Sequence, residues 1–266
     1  MTFFVFLPGM LIRQCFLIGE NFLATLFTWN RVIVFSEIPL RVLYLNNVLS
    51  FLATAIFGER FLCIHFSNVM IDPGPPFGTS QLKKYLRNAD TVQAVLVTHR
   101  HEEHIGNAPF VADQLQVPIY GSPQTLEEIK NPQKLSFMRR YVIGQPLPPS
   151  FLSLREVSDE LEIPPTKLLC LSSPGHSEDH VSFYDPIHKI LFAGDSFLHE
   201  IFTSPNRDVN SSQWLDTLRK YTSLDIQTMI GSHGYVTTID PRIPSIPFVT
   251  EKKRPISDDS KQDTVY

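Results

Sequence analysis

Short apolar runs, each stopped by turn chemistry, recur along the middle of the chain. Asn68-Val69-Met70-Ile71 runs into Asp72-Pro73-Gly74-Pro75-Pro76, which predicts a strand ended by a turn. Ala94-Val95-Leu96-Val97 is continuously apolar, as expected of a strand buried on both faces. Residues 117–120, 168–171, 181–184, 190–192 and 228–230 read as further short strands, with a turn over 186–189. Segments of helical spacing lie between them, at residues 80–86, 108–116 and 125–130, and Ser212 can cap a helix running to Tyr221. Strands alternating with helices predict an α/β sandwich rather than an all-β fold.

The ends of the chain read differently. Residues 41–71 suggest several short strands with a hairpin turn at Gly58-Glu59, whereas residues 1–40 show no clear period. Residues 144–166 are rich in proline and weakly periodic, which predicts a surface loop or lid. After Asp240 the chain is rich in Pro, Lys, Asp and Ser and reads as a flexible tail. The organisation expected is an apolar N-terminal extension (1–41), a catalytic domain (42–240) and a polar C-terminal tail (241–266).

Composition narrows this picture. With 266 residues, 43% of them hydrophobic and 19% charged, the chain can bury the core of one large domain. Its 23 Lys+Arg against 27 Asp+Glu give a net charge of -4, so a broad basic surface for nucleic acid is not expected. The three cysteines lack close spacing and form neither a disulfide framework nor a CxxC pair. Eleven of the 20 phenylalanines fall in the first 66 residues, so the front is unusually apolar. Its longest uncharged start, residues 1–12, is shorter than the ~20 residues of a membrane span, and no basic segment precedes it as in a secretory signal. A cytoplasmic protein is expected, with the extension serving as packing, a dimer surface or a peripheral membrane contact.

The chemistry concentrates in Thr98-His99-Arg100-His101-Glu102-Glu103-His104, directly after a predicted buried strand. Imidazole and carboxylate are ligands that zinc and similar metals prefer. At a strand end followed by a tight turn, His99 and His101 can project the same way, and Glu103 and His104 can open a helix facing the same cavity. Three more strand-end loops each offer one such ligand beside a glycine: Pro174-Gly175-His176, Gly194-Asp195 and Gly231-Ser232-His233-Gly234. Arg100 and Glu102 are expected at the rim or in solvent. His65 and His188 read as structural, and His199, four residues after Asp195, could line the pocket.

Taken in order, Asp72-Pro-Gly, the THxHxEH string, PGH, GD and GSHG resemble the metallo-β-lactamase-fold hydrolases over about residues 42–240. Within that superfamily they look most like the glyoxalase II, lactonase and thioesterase branch. The resemblance implies a four-layer αβ/βα sandwich with two metals at one sheet edge, Zn2+ foremost and Fe or Mn as alternatives. It implies that His99, His101 and His176 hold one metal, that Glu103, His104 and His233 hold the second, and that Asp195 bridges them. A metal-bound hydroxide would attack a small ester or thioester, and Asp195 and Glu103 would be the catalytic carboxylates. Asp72 and His180 would support the ligands from behind. The superfamily motif carries Asp where this chain has Glu103, which displaces the carboxylate by about a bond length. Three other functions suit the same residues: a nuclease, a mononuclear iron persulfide dioxygenase, or a non-catalytic metal-binding protein.

Overall fold

The computed structural model describes residues 32–35, 38–45, 60–89, 91–151, 153–197, 209–234 and 236–238. Among these residues two sheets form the centre. The first has seven strands in chain order: β1 (Val32–Phe35), β2 (Leu40–Leu45), β3 (Phe61–Phe66), β4 (Val69–Ile71), β5 (Ala94–Leu96), β6 (Ile119–Gly121) and β7 (Leu154–Glu156). β1 to β4 pair antiparallel, and β4 to β7 pair parallel. The second has six: β8 (Glu160–Ile163), β9 (Thr166–Ser172), β10 (Val181–Asp185), β11 (Ile190–Gly194), β12 (Thr228–Gly231) and β13 (Val236–Thr238). They lie in the order β13-β12-β11-β10-β9-β8. The pairs are antiparallel except β11 with β12, which run parallel.

Side-chain alternation divides the strands between two cores. From β2, Leu40, Val42 and Tyr44 face the second sheet, where they meet Leu168, Phe183 and Phe192. Leu43 and Leu45 face the other way, into a core shared with the helices α1 (Thr79–Leu86), α2 (Glu102–Ile105), α3 (Ala108–Leu115) and α4 (Pro123–Lys130). A short helix α5 (Phe137–Val142) follows, and α6 (Ser211–Tyr221) covers the outer face of the second sheet through Tyr221, Leu191 and Ala193. Helices, sheet, sheet and helix make the expected four layers.

The elements differ from expectation in four places. Among the described residues the first sheet begins at Val32, so part of the segment set apart as an N-terminal extension up to residue 41 belongs to the sandwich. The physical reason is burial, since Phe35, Ile38 and Leu40 lie between the sheets. Residues 144–166, expected as a loop or lid, hold β7 and β8, and Leu161 of β8 is buried in the inter-sheet core. The cap of α6 is Asn210, whose side chain accepts from the Gln213 N–H, rather than Ser212. Finally, Glu102, expected at the rim, is buried. The Gly58-Glu59 turn, His199 and the polar tail lie outside the described residues. Among the described residues no helix is long and apolar enough to cross a membrane.

Candidate metal centre

Strand ends bring the candidate residues to one edge. β4 and β5 run parallel in register Ile71↔Leu96, so Asp72 and the Val97-Thr98-His99 segment leave the sheet side by side. β11 and β12 run parallel with Gly194↔Gly231, which places Asp195 beside Ser232-His233. The backbone N–H of Val181 donates to the Thr98 carbonyl (2.8 Å), and that of Leu62 to the Ser232 carbonyl (3.2 Å), so the sheets are stitched together at this edge. Gly194 has φ +54, and a Cβ there would lie 2.6 Å from His180 Nε2 and 2.9 Å from Thr98. Only glycine lets Asp195 approach this closely.

Two groups of donor atoms converge there. His99, His101, His176 and Asp195 form one, and Glu103, His104 and His233 form the other. His101 Nδ1 lies 2.9 Å from His99 Nε2 and 3.1 Å from His176 Nε2. Asp195 stands between the groups. Its Oδ2 is 3.2 Å from His176 Nε2, 3.2 Å from His233 Nε2 and 3.9 Å from His99 Nε2, while Oδ1 is 3.4 Å from His104 Nε2. All seven side chains singled out from sequence as ligands therefore meet in one place.

Neighbours commit the protons of these rings. Asp72, at φ 45 after β4, accepts from the Thr98 N–H (2.8 Å), the Thr98 hydroxyl (2.8 Å), the Ser232 hydroxyl (2.8 Å) and His104 Nδ1 (3.0 Å). Because the Thr98 hydroxyl proton goes to Asp72, its oxygen accepts from His99 Nδ1 (3.0 Å). His233 Nδ1 donates to the Arg60 carbonyl (2.9 Å). The Asp195 N–H donates to His180 Nε2 (3.1 Å), so the ring proton of His180 sits on Nδ1 and faces the Ser173 hydroxyl (2.7 Å). Asp72 and His180 thus stand behind the donor set, as the resemblance implies. The nitrogens left over on His99, His104 and His233 are turned toward one another and toward Asp195.

Electrostatics follow the same plan. Burial pushes His99 well below its ordinary value, helped by His104 and His101, and it pushes His176 down to about 3 and His180 down to about 4. Burial would lower His104 too, but the carboxylates of Asp195 and Asp72 outweigh it and hold that ring well above its usual value. Burial opposes ionisation of Asp195, yet His233, His104 and His176 keep its carboxyl well below the carboxylate range. Asp72 is lowered in the same way, against its own burial, by His104 and the Thr98 hydrogen bonds.

The residues fit divalent metals. His104 Nε2 and Asp195 Oδ1 are buried and face each other at 3.4 Å, with no hydrogen-bond partner among the described residues, so both have capacity left for a ligand. Ligands at ~2.0–2.1 Å from a shared tetrahedral zinc stand about 3.4 Å apart. The spacings of 2.9 to 3.9 Å between His99 Nε2 and its neighbours bracket that value.

Three contacts around the cluster carry no signal in the sequence motif. Asp179 Oδ2 accepts from the Arg100 N–H (2.9 Å) and the Thr125 hydroxyl (2.6 Å), which fixes the backbone between His99 and His101. Trp214 of α6 lies against His176, with ring centroids 5.6 Å apart. Arg139 of α5 pairs with Glu102 and approaches Glu103 Oε2 to 3.9 Å. His65 instead bonds the Tyr85 hydroxyl (2.6 Å) and His188 bonds Asp185, both away from the cluster.

The protein is thus an α/β sandwich with a histidine–carboxylate cluster, suited to metal, where two parallel strand pairs end. Residues 67–233 match the metallo-beta-lactamase superfamily, and the chain belongs to it. Over 128 residues it is 27% identical to a hydroxyacylglutathione hydrolase of Idiomarina loihiensis, covering 48% of this chain and 41% of that one. Over 43 residues it is 46% identical to ribonuclease J 1 of Streptococcus pyogenes, covering 16% of this chain and 8% of that one. The chain spans less than half the length of either relative. A solved beta-lactamase domain protein from Burkholderia ambifaria shares the fold at TM-score 0.61 and 16% identity, over 79% of this chain and 71% of that one.

Proposed function

We propose that the protein is a binuclear metal-dependent hydrolase of a small thioester, lactone or related ester. The observation that carries this reading is the position of Asp195, within 3.2 to 3.9 Å of ring nitrogens from both donor groups. His99, His101, His176 and Asp195 would hold one metal, and Glu103, His104, His233 and Asp195 the other. The donor set suits zinc, with iron or manganese as alternatives. When bound, the metals supply an acidified water and an electrophile for the acyl carbonyl. Asp72 keeps Nε2 of His104 turned inward, and through Thr98 it does the same for Nε2 of His99. The Asp195 and Glu103 carboxylates are the acid–base groups at the reacting centre and can carry a proton to the leaving thiolate or alkoxide.

The acyl-transfer reading is supported by a relative named for acylglutathione hydrolysis that aligns with 48% of the chain. The phosphodiester reading has support from a ribonuclease that aligns with 16%. The net charge of -4 also favours the small-molecule substrate. The test loads chelator-stripped full-length protein with zinc and assays thioesters, lactones and an RNA oligonucleotide side by side. Turnover of a thioester or lactone, abolished by chelator and restored by zinc, is expected. Cleavage of RNA alone, or no turnover with two metals bound, overturns the proposal.

A further inference from the structure

Helix α5 buries none of its own side chains. It is tied to the body beside its C-terminus, where the Phe77 N–H donates to the Ile143 carbonyl (3.2 Å), and through Arg139. The Arg139 guanidinium pairs with Glu102 Oε1 and lies 3.9 Å from Glu103 Oε2. Those two glutamates are consecutive residues in the first turn of α2, with side chains only 9% and 5% exposed. Adjacent buried carboxylates repel each other, and each is costly to desolvate. A planar guanidinium with five N–H donors can serve both at once, which an ammonium does less well. A glutamate side chain also has three torsions to fix before its carboxylate can act as a ligand. Glu103 shares its donor group with His104 and His233, whose rings are fixed by Asp72 and the Arg60 carbonyl.

We propose that Arg139 is a positioning residue of the metal centre. From α5 it orients the Glu103 carboxylate toward His104 and His233, and so sets the metal affinity of that half of the site. The inference rests on the two-metal reading above. Its arm is the exposed one, since the Arg139 side chain is 43% accessible, so added salt weakens the link.

The test titrates chelator-stripped full-length protein with Zn2+ against a chromophoric chelator, and with Co2+ followed by its absorption bands. Wild type is expected to take two equivalents. Arg139→Ala is expected to keep the tighter equivalent and to weaken the other by about 10–100-fold, with altered cobalt bands, as for other residues that orient a ligand. Arg139→Lys should recover part of the loss. In a Glu103→Asp background, whose shorter side chain stands away from the guanidinium, the effect of Arg139→Ala should shrink below about threefold. Wild-type affinities in Arg139→Ala, or equal weakening of both equivalents, overturns the inference and leaves the two-metal reading standing. A wild type that takes no metal defeats that reading and the inference together. Should Arg139→Ala not fold, Arg139→Lys decides alone: a weakened second equivalent supports the inference, and two unchanged equivalents overturn it.

Discussion

The two halves of the metal centre are held by different means. Around His99, His101 and His176 the supports are close-packed and buried: Thr98 on His99, Asp179 on the Arg100 backbone, and Trp214 against His176. Around Glu103, His104 and His233 they are largely charged: Asp72 on His104 and Arg139 beside Glu103, with a backbone carbonyl on His233. The first half is held by strand ends, packing and buried groups, the Asp179 carboxylate among them, which salt barely touches. The second half depends on ionised groups, one of them open to solvent, so its occupancy should respond to both. Perturbations can therefore be ranked by whether they strike both halves or one.

Asp195 belongs to both, and its removal should have the largest effect. Asp195→Ala is expected to lower kcat/KM by about a thousandfold, comparable to losing a central electrostatic group elsewhere. Metal analysis should then find fewer than two equivalents. A variant retaining two metals and most of its turnover would show that the halves do not communicate through this carboxylate.

Asp72→Asn comes next. It keeps the shape but removes the charge that holds His104 and, through Thr98, His99. Metal affinity should fall by about 10–100-fold, more for the His104 half, which touches Asp72 directly. Zinc competition titration reads both equivalents separately. Equal losses would mean that Thr98 transmits the charge as well as direct contact does.

Much of this arrangement is legible in the sequence, and the reasons are local. Ala94-Val95-Leu96-Val97 followed by HRHEEH states a buried strand and its ligand loop in one stretch. His176, Asp195 and His233 each follow a short apolar run and sit beside glycine, so each loop can be read without its neighbours. β7 and β8 escape that reading because most of their side chains are exposed or half-buried, leaving no apolar run to find. Val32-Ile33-Val34-Phe35 is apolar, but it lies in an apolar-rich front where one strand does not stand out. Glu102 reads as a solvated charge because its partner, Arg139, is brought to it only by the tertiary fold. Asp179 is visible inside HSEDH, yet its bonds to Arg100 and Thr125 belong to distant segments.

Acidity should separate the halves by a smaller margin. In the metal-free protein Asp195 and Asp72 hold His104 well above its ordinary value, so it carries a proton that metal must displace. His99 lies well below its ordinary value and His176 at about 3, so near neutrality these rings have no proton to release. The sign follows: below the raised value of His104, affinity in the second half should drop about tenfold for each pH unit lost. The contributions of His99 and His176 to the first half should stay nearly flat until more acidic solution. Parallel pH slopes for the two equivalents would break the comparison.

The smallest effect expected is that of Glu103→Asp, and it isolates the arm itself. The substitution keeps the charge and withdraws the carboxylate by about one carbon–carbon bond, ~1.5 Å. From a helix whose position is fixed by the buried Ile105 and His104, that shortfall cannot be made up by the backbone at no cost. Affinity in the second half should therefore weaken, by about two- to fivefold, less than when Arg139 is lost, because aspartate has one torsion fewer to fix. Its shorter arm also stands away from the guanidinium. Raising salt from low to physiological should thus weaken the second equivalent in the wild type and leave it unchanged in Glu103→Asp. Zinc titrations at two ionic strengths check this, and a salt response that survives the substitution would place the sensitivity on the Asp72 side instead.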